Sequence, residues 1–479
     1  MMKRLIVVSN RLPHFAAAGD ADARRMPVGG LATALRGALA GAQGSVWLGW
    51  SGEVVRSGEQ AERLSATLGG TRILGLPLTR TESEDYYRGF CNEALWPLFH
   101  GFLGRVQLRR TQEACYRRVN ERFARELRRL LRPGDVVWVH DYHFLCLGRE
   151  LRRLGWSGPL GFFLHTPFPS YDLWQALPEP RDFIEALMEH DLIGFQTRTS
   201  LDSYVYTCSR ETGARWDGRR LALGGRRQRA GAYPIGIEPE AFFPPPGFSR
   251  STARGELSRV VRGRRLILGV DRLDYTKGIP ERLLAFEALM TRHQEWRRRA
   301  SFVQIASPSR SRVPGYVEQK QKVDLLVGRI NGELSDHDWV PVRYLYRSYP
   351  TDVLAGFYRE ADIGLVTPLR DGMNLIAKEF VAAQDPAEPG VLVLSRLAGA
   401  AEELKEAVLV NPHLPSDTAE GILRALAMPP AERRGRHKAL LRRVSTATAG
   451  VWSAGFLSDL QEEAAARLRD RAGSSRPAR

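Results

Sequence analysis

The chain has 479 residues, 43% of them hydrophobic and 26% charged, so it can bury large cores without a disulfide or metal staple. Its formal net charge is +16, with only 7 Lys among the 70 basic residues, and the arginines are scattered through helical patterns such as 117–132 and 292–299. That scatter, without zinc-finger spacing or an aromatic-interleaved basic patch, argues against a nucleic-acid binder, and no run of 18 apolar residues offers a membrane span.

The first apolar run, 5–8, is only four residues long and is followed by Ser9, Asn10 and Arg11. It predicts a buried β-strand rather than a signal peptide. Further strands are predicted at 46–48, 73–76, 136–139, 161–164 and 192–195, with helical patterns between them. A second series follows at 266–270, 302–305, 340–345, 363–366 and 391–394. The runs are continuous rather than alternating, as in parallel strands covered by helices on both faces. Between the two series, residues 230–262 are dense in proline and glycine, as an interdomain connection would be. Residues 416–466 read as helical, with Trp452, Phe456 and Leu460 at i, i+4, i+8 spacing.

The expected fold class is therefore α/β, with two doubly wound Rossmann-like domains facing across a cleft. Residues 1–235 form the N-terminal Rossmann-like domain and 236–450 the C-terminal one. A helix at 451–466 packs back toward the first domain, although an ordinary helix of the second domain fits the same pattern. Residues 467–479 form a disordered tail. The four cysteines, Cys91, Cys115, Cys146 and Cys208, show no C-x-x-C spacing and read as reduced thiols of a cytoplasmic protein.

Ligands of open α/β sheets bind at the carboxyl ends of the strands, so polar residues just after a predicted strand are the candidates. Arg11 follows the first strand, and Gly29-Gly30 precedes the helical run 31–39, where a backbone could approach a phosphate or simply turn. Neither G-x-G-x-x-G nor a P-loop is present. Asp141 stands at the tip of 136–139, placed to accept hydrogen bonds from sugar hydroxyls. His140 and His143 straddle a bend with no third ligand in view, so no metal is expected. His165 ends the strand 161–164, where a core histidine is an equal reading.

Arg272 and Lys277, five residues apart after 266–270, can neutralise a diphosphate leaving group as its charge grows. After 363–366 come Asp371, Gly372, Met373, Asn374 and Leu375, then Glu379 two helical turns beyond Asp371. A carboxylate accepts two hydrogen bonds and so suits vicinal hydroxyls, while a capping Asp and a solvated Glu are the plainer reading.

Together these segments resemble the trehalose-phosphate synthase family over residues 3–465. The most specific parts are 271–278, 367–385 (TPLRDGMNLIAKEFVAAQD), 164–170 and the stretch from Tyr86 to Pro97. The resemblance implies a fold of the GT-B type, with 1–235 as the acceptor-binding and 236–450 as the nucleotide-sugar-binding domain. It also implies a retaining, metal-independent glucosyltransferase, acting from UDP-glucose on glucose 6-phosphate to give α,α-trehalose 6-phosphate and UDP. GDP or ADP stays open as the donor base. The transfer would occur on one face of the sugar, with no protein nucleophile.

The resemblance also implies roles. Arg272 and Lys277 would hold the diphosphate, Glu379 the ribose, and Asp371 the glucose hydroxyls. The backbone of Gly372, Met373, Asn374 and Leu375 would support sugar and phosphate, with Gly30 near the phosphate and His165 against the transferred glucose. Arg11, Tyr87 and Arg310 would take the acceptor phosphate, and Trp96 and Asp141 its ring. Asp371, His165, Arg272 and Lys277 would thus be the catalytic set.

No cofactor is implied. The partners would be the two small substrates, with neither nucleic acid nor membrane, and self-association stays open. Three stretches depart from the family pattern: 15–28, which reads as a mobile lid, 101–104, and Ser311-Arg312. All lie near the expected acceptor pocket. A glucosylglycerol-phosphate synthase using glycerol 3-phosphate and ADP-glucose, or a pseudo-glycosyltransferase, therefore stays open as an alternative.

Overall fold

In the computed structural model, residues 4–12, 30–40, 44–56, 64–248, 257, 259, 261, 263–310 and 313–474 are described. The segment 15–28, Gly29, Ser311-Arg312 and the last five residues lie outside them. The chain divides into two units. Leu31–Ile235 joins with the N-terminal strand and with the chain from Gly450 onward to make the first, and Gly236–Ala449 makes the second.

The first unit is built on a ten-stranded sheet. Its strands are β1 Leu5–Arg11, β2 Val46–Val55, β3 Leu64–Leu68, β4 Thr71–Thr79, β5 Val136–His140, β6 Leu160–Leu164, β7 Leu192–Phe195, β8 Arg215–Trp216, β9 Arg220–Leu223 and β10 Arg226–Ala232. The order is β3-β4-β2-β1-β5-β6-β7-β10-β9-β8, parallel from β4 to β10, with antiparallel pairing of β3, β9 and β8 at the edges.

The second unit has six parallel strands: β11 Arg265–Arg272, β12 Ala300–Ser307, β13 Val342–Leu345, β14 Ile363–Val366, β15 Val391–Ser395 and β16 Val408–Val410. Their order is β13-β12-β11-β14-β15-β16. Strand residues such as Ile267, Phe302, Leu365 and Val393 are buried with Leu283, Phe286 and Ile422 from the covering helices. This double covering is why the sequence runs are continuous.

In each sheet the strand order reverses once near the middle, between β1 and β5 and between β11 and β14. Loops leaving the two strands on either side of such a reversal diverge to opposite faces and leave room for a ligand at the carboxyl edge. Arg11 ends β1 and Asp141 follows β5, while Arg272 ends β11 and Asp371 follows β14.

From Gly450 onward, the helix Ala449–Ser474 belongs to the first unit. Its Trp452 and Phe456 rings lie 5.0 and 4.7 Å from Trp138 of β5. Glycines in the sheet make this approach possible: a Cβ on Gly161 would meet Phe456 at 2.8 Å and Leu460 at 2.9 Å. The helix also runs beyond the limit expected from the sequence. Residues 467–474, read as part of a disordered tail, are helical. Arg467 is held there by Asp191 at 2.5 Å and by the carbonyl of Gly158 at 3.2 Å. Among the described residues, no helix is long and apolar enough to cross a membrane.

Candidate functional site

In the first unit, Arg11 ends β1 with its guanidinium carbon 5.6 Å from the Trp50 ring centroid. The Trp50 ring also meets Tyr87, centroids 4.9 Å apart, and Tyr87 stacks on His143 at 6.2 Å. His143 contacts Tyr142 at 4.0 Å, and Tyr142 contacts Trp96 at 5.7 Å. A chain of rings thus joins Arg11 to Tyr87 and Trp96, which lie more than 70 positions away from it in sequence. Tyr87 lies in a π-type helix, Glu82–Leu95, which closes with the Trp96 N–H bonded to Cys91 O, five residues back. Such wide turns are rare and tend to occur where side chains are being re-aimed.

Asp141 has φ 72° and ψ 168°, a conformation almost confined to glycine. Its N–H bonds Phe163 O at 2.8 Å, its carbonyl accepts from Phe144 N at 3.1 Å, and its Oδ1 accepts from His165 N at 3.2 Å. The tips of β5 and β6 are thereby fixed together, and Asp141 and His165 with them.

His165 is held through both ring nitrogens, and the donors can be ordered in only one way. Gln196 Oε1 accepts the Ile235 N–H at 2.9 Å, so Gln196 Nε2 is the atom 3.1 Å from His165 Nδ1. That nitrogen must accept, which puts the His165 proton on Nε2 and directs it to His140 Nδ1, 3.0 Å away. Burial pushes the His165 imidazole down to about 3. Burial, then the neighbouring His165, pushes His140 well below the usual range. Both rings are neutral at physiological pH. A sugar hydroxyl reaching the His165 ring nitrogens would have to displace one of these bonds.

In the second unit, the loop after β11 passes through Asp274 and the 3₁₀ turn Tyr275–Lys277 to Gly278, at φ 65°. A Cβ on Gly278 would lie 2.5 Å from the Thr367 carbonyl, so the close approach of the loop to the end of β14 requires glycine. Lys277 forms an ion pair with Asp371, whose Oδ2 also accepts from Asn374 Nδ2 at 3.1 Å. Asp371 lies ahead of the helix Leu375–Ala383 rather than in its first turn. There its N–H bonds Leu397 O at 3.2 Å and its carbonyl accepts from Gly399 N at 3.1 Å. Asn374 caps the helix at φ 83° without a side-chain cap bond, so the first-turn amides keep their donors. Glu379, farther along the helix, accepts from Tyr358 OH at 3.2 Å, and burial pushes its carboxyl up to about 7.

Two buried groups support this loop. Arg282 donates to Asp271 Oδ2 (2.7 Å), Gln304 Oε1 (2.9 Å), Thr367 Oγ1 (3.0 Å) and the Lys277 carbonyl (3.2 Å). Asp274 lies between Arg272 and Arg310. Burial pushes the Asp274 carboxyl up, but Arg310, then Arg272 and Lys277, pull it below its ordinary value. Arg310 itself has φ 45°. Of the four non-glycine residues with positive φ among those described, three are therefore candidate site residues: Asp141, Arg310 and Asn374.

The structure thus gathers Arg11, Tyr87 and Trp96 along one ring chain, Asp141 with His165, Lys277 with Asp371 and Asn374, and Arg272 with Arg310. Gly372 and Met373 are buried beside them, Leu375 opens the helix that carries Glu379, and Gly30 opens the helix Gly30–Ala40. Sequence reasoning passed over Trp50, Gln196, Asp274, Arg282 and Tyr316. Gln196 directly follows β7, so the strand-end rule could have found it, and Arg282 is a charge on the buried stripe of a helix. Among the described residues, one group of three has metal-ligand reach, Asp336, His337 and Asp338. It is largely exposed, and both aspartates pair with Arg298.

A family model for glycosyltransferase family 20 matches residues 3–462. The trehalose-6-phosphate synthase of Sinorhizobium fredii is 43% identical over 462 residues, which covers 96% of this chain and 98% of the relative. The crystal structure of a UDP-forming α,α-trehalose-phosphate synthase from Burkholderia xenovorans, in complex with glucose 6-phosphate, aligns with a TM-score of 0.89 and 41% identity. That alignment covers 96% of this chain and 100% of that one. A trehalose-6-phosphate protein from E. coli bound with UDP-2-fluoro glucose aligns with a TM-score of 0.87 and 38% identity, covering 95% and 98% of the two chains. Fold and kinship together define a glycosyltransferase of the GT-B type. The chain belongs to glycosyltransferase family 20, the trehalose-phosphate synthase family.

Proposed function

We propose that the chain transfers glucose from UDP-glucose to glucose 6-phosphate, with retention and without a metal, giving α,α-trehalose 6-phosphate and UDP. The observation that carries the donor half is the Lys277–Asp371–Asn374 cluster beside the helix Leu375–Ala383, whose N-cap makes no side-chain bond, with Arg272 on the same loop as Lys277. Lys277 and Arg272 would neutralise the diphosphate, where negative charge grows as the glycosidic bond breaks. Asp371, released from Lys277, would accept glucose hydroxyls, and Glu379 the ribose diol.

Arg11, Tyr87 and Arg310 would bind the acceptor phosphate, with Trp96 and Asp141 positioning its ring. His165, neutral and fixed, would bound the transferred glucose. The departing phosphate oxygen would take the acceptor hydroxyl's proton on the face where the new bond forms, so no protein nucleophile is required. Cations and amides supply the charge stabilisation that a metal would otherwise give.

The test is to incubate the purified chain with UDP-, GDP- and ADP-glucose against glucose 6-phosphate and glycerol 3-phosphate, with EDTA present. Trehalose 6-phosphate formed from UDP-glucose is the expected product. Product from glycerol 3-phosphate alone would transfer the assignment to the glucosylglycerol-phosphate reaction, and complete loss with EDTA would refute metal independence. Asp371→Ala should lower turnover by about 10²–10³, the cost of losing a preorganised transition-state contact, with its circular dichroism unchanged.

A further inference from the structure

Asp274 has no place in the transfer just proposed, yet it is the most enclosed carboxylate of the loop, with its side chain fully buried. Its Oδ1 accepts the Thr276 N–H at 3.1 Å, which sets the turn carrying Lys277. Its Oδ2 accepts the Tyr316 hydroxyl at 3.0 Å and lies 3.6 Å from Arg310 Nη1 and 3.9 Å from Arg272 Nη2. Arg310 also donates to the Tyr316 oxygen, with its guanidinium carbon 5.4 Å from that ring's centroid.

The two arginines come from adjacent strands. Arg272 is the last residue of β11, and Arg310 follows β12, whose end is in register with it (Arg272↔Ser307). Two guanidinium groups brought this close repel one another unless a negative charge lies between them. An isolated buried carboxylate is itself costly, so each charge accounts for the other's position. The arginines differ in their freedom: the Arg310 side chain is 9% exposed and the Arg272 side chain 47%. A long, half-exposed side chain has many rotamers to lose, and a fixed countercharge narrows them before the ligand arrives.

We infer that Asp274 is a positioning residue that sets the donor-diphosphate arginine, Arg272, and the acceptor-phosphate arginine, Arg310, through one shared carboxylate oxygen. The inference rests on the substrate roles proposed above for those two arginines. It makes Asp274 a common support of both phosphate contacts and Tyr316 a support of Arg310 alone, although neither touches a substrate.

The test is Asp274→Asn, which keeps an acceptor for the Thr276 N–H and removes the charge, with UDP and glucose 6-phosphate titrated separately by calorimetry. Both dissociation constants should rise about tenfold, the scale of one charge-assisted hydrogen bond. In an Arg310→Ala background, the same change should still weaken UDP and leave glucose 6-phosphate no weaker than Arg310→Ala alone. Tyr316→Phe, which leaves Asp274 in place, should weaken glucose 6-phosphate and spare UDP, and it carries the test if Asp274→Asn does not fold.

Unchanged constants, weakening of one ligand only in Asp274→Asn, or tighter binding of both would overturn the inference. Tighter binding would mean that the carboxylate merely damps the positive field. Unmodified protein that binds neither ligand would instead remove the functional reading on which the inference stands.

Discussion

Arg282 offers a sharp test of what holds the donor loop. Its side chain is fully buried, and it makes four hydrogen bonds to three side chains and the Lys277 carbonyl. Arg282→Met keeps much of the volume and strands four acceptors, one of them charged. Asp271 Oδ1 is already buried without a hydrogen-bond partner, so the substitution leaves the whole carboxylate without a hydrogen bond. Breaking one side of a buried ion pair costs roughly 3–5 kcal/mol. For a unit of this size that lowers the melting temperature by roughly 6–20 °C.

The loss should depend on pH, and its sign is fixed. Burial already raises the Asp271 carboxyl, against the pull of Arg282 and Lys277. Without Arg282 its folded value rises further above the unfolded one. Such a group imposes no penalty below its unfolded range and a growing one as pH climbs toward its folded value. Calorimetry at pH 5.5 and 7.5 should therefore show the larger deficit at pH 7.5, and Asp271→Asn added to Arg282→Met should recover much of it. A deficit below about 1 kcal/mol, the size of an ordinary neutral hydrogen bond, or one equal at both pH values, would refute this account of Arg282.

Three further predictions rest on other parts of the structure. The Glu379 carboxyl is pushed up to about 7 and accepts from a diol most strongly when ionised, so the KM for the nucleotide sugar should fall as pH rises from 6 to 8. Glu379→Gln should flatten that profile. It should also be more stable than the parent above pH 7 but not below the ordinary carboxyl value of 4.5, because a raised acid loses stability as it ionises. Gln196→Glu places an acceptor before His165 Nδ1, so the ¹⁵N signals of the two His165 ring nitrogens should exchange character. Unchanged signals would contradict the tautomer assigned here. Gly194→Val drives a side chain into the Phe163 and Phe456 rings, each 2.8 Å from a Cβ at that position, and should cost about 1–3 kcal/mol by urea titration. Phe456→Ala added to it should restore part of the loss, and purely additive effects would count against that contact.

What the sequence revealed follows from burial. Central strands such as β5 and β12 are covered on both faces and appear as unbroken apolar runs, whereas β8 to β10 lie at an edge, carry Arg and Gly, and leave no such run. Arg11, Asp141, Arg272 and Asp371 were legible because a parallel sheet presents its chemistry at strand ends. Their supports were not, because those depend on pairings distant in sequence. Arg282 meets Thr367 across 85 positions, and Tyr86 meets Asn10 across 76. The π-type turn that carries Tyr87 has no compositional mark, since only the backbone register distinguishes it from an ordinary helix. The high arginine content is partly structural: Arg117 and Arg149 both pair with Asp182, and Arg152 and Arg467 both pair with Asp191.

The helix Ala449–Ser474 has a consequence for biosynthesis. It covers Trp138, Phe163 and the glycines of β6 and β7, and its Asp459 and Glu463 pair with Arg229 and Arg220 at the sheet's edge. Its bond from Arg467 to Asp191 spans 276 positions. A ribosome makes the first unit's sheet long before it makes the segment that seals it. That unit therefore remains open while the whole second unit is synthesised, with aromatic surface exposed to aggregation or to chaperones. Its final closure joins segments more than 200 positions apart, so a stop codon ahead of residue 450 would damage the N-terminal unit most.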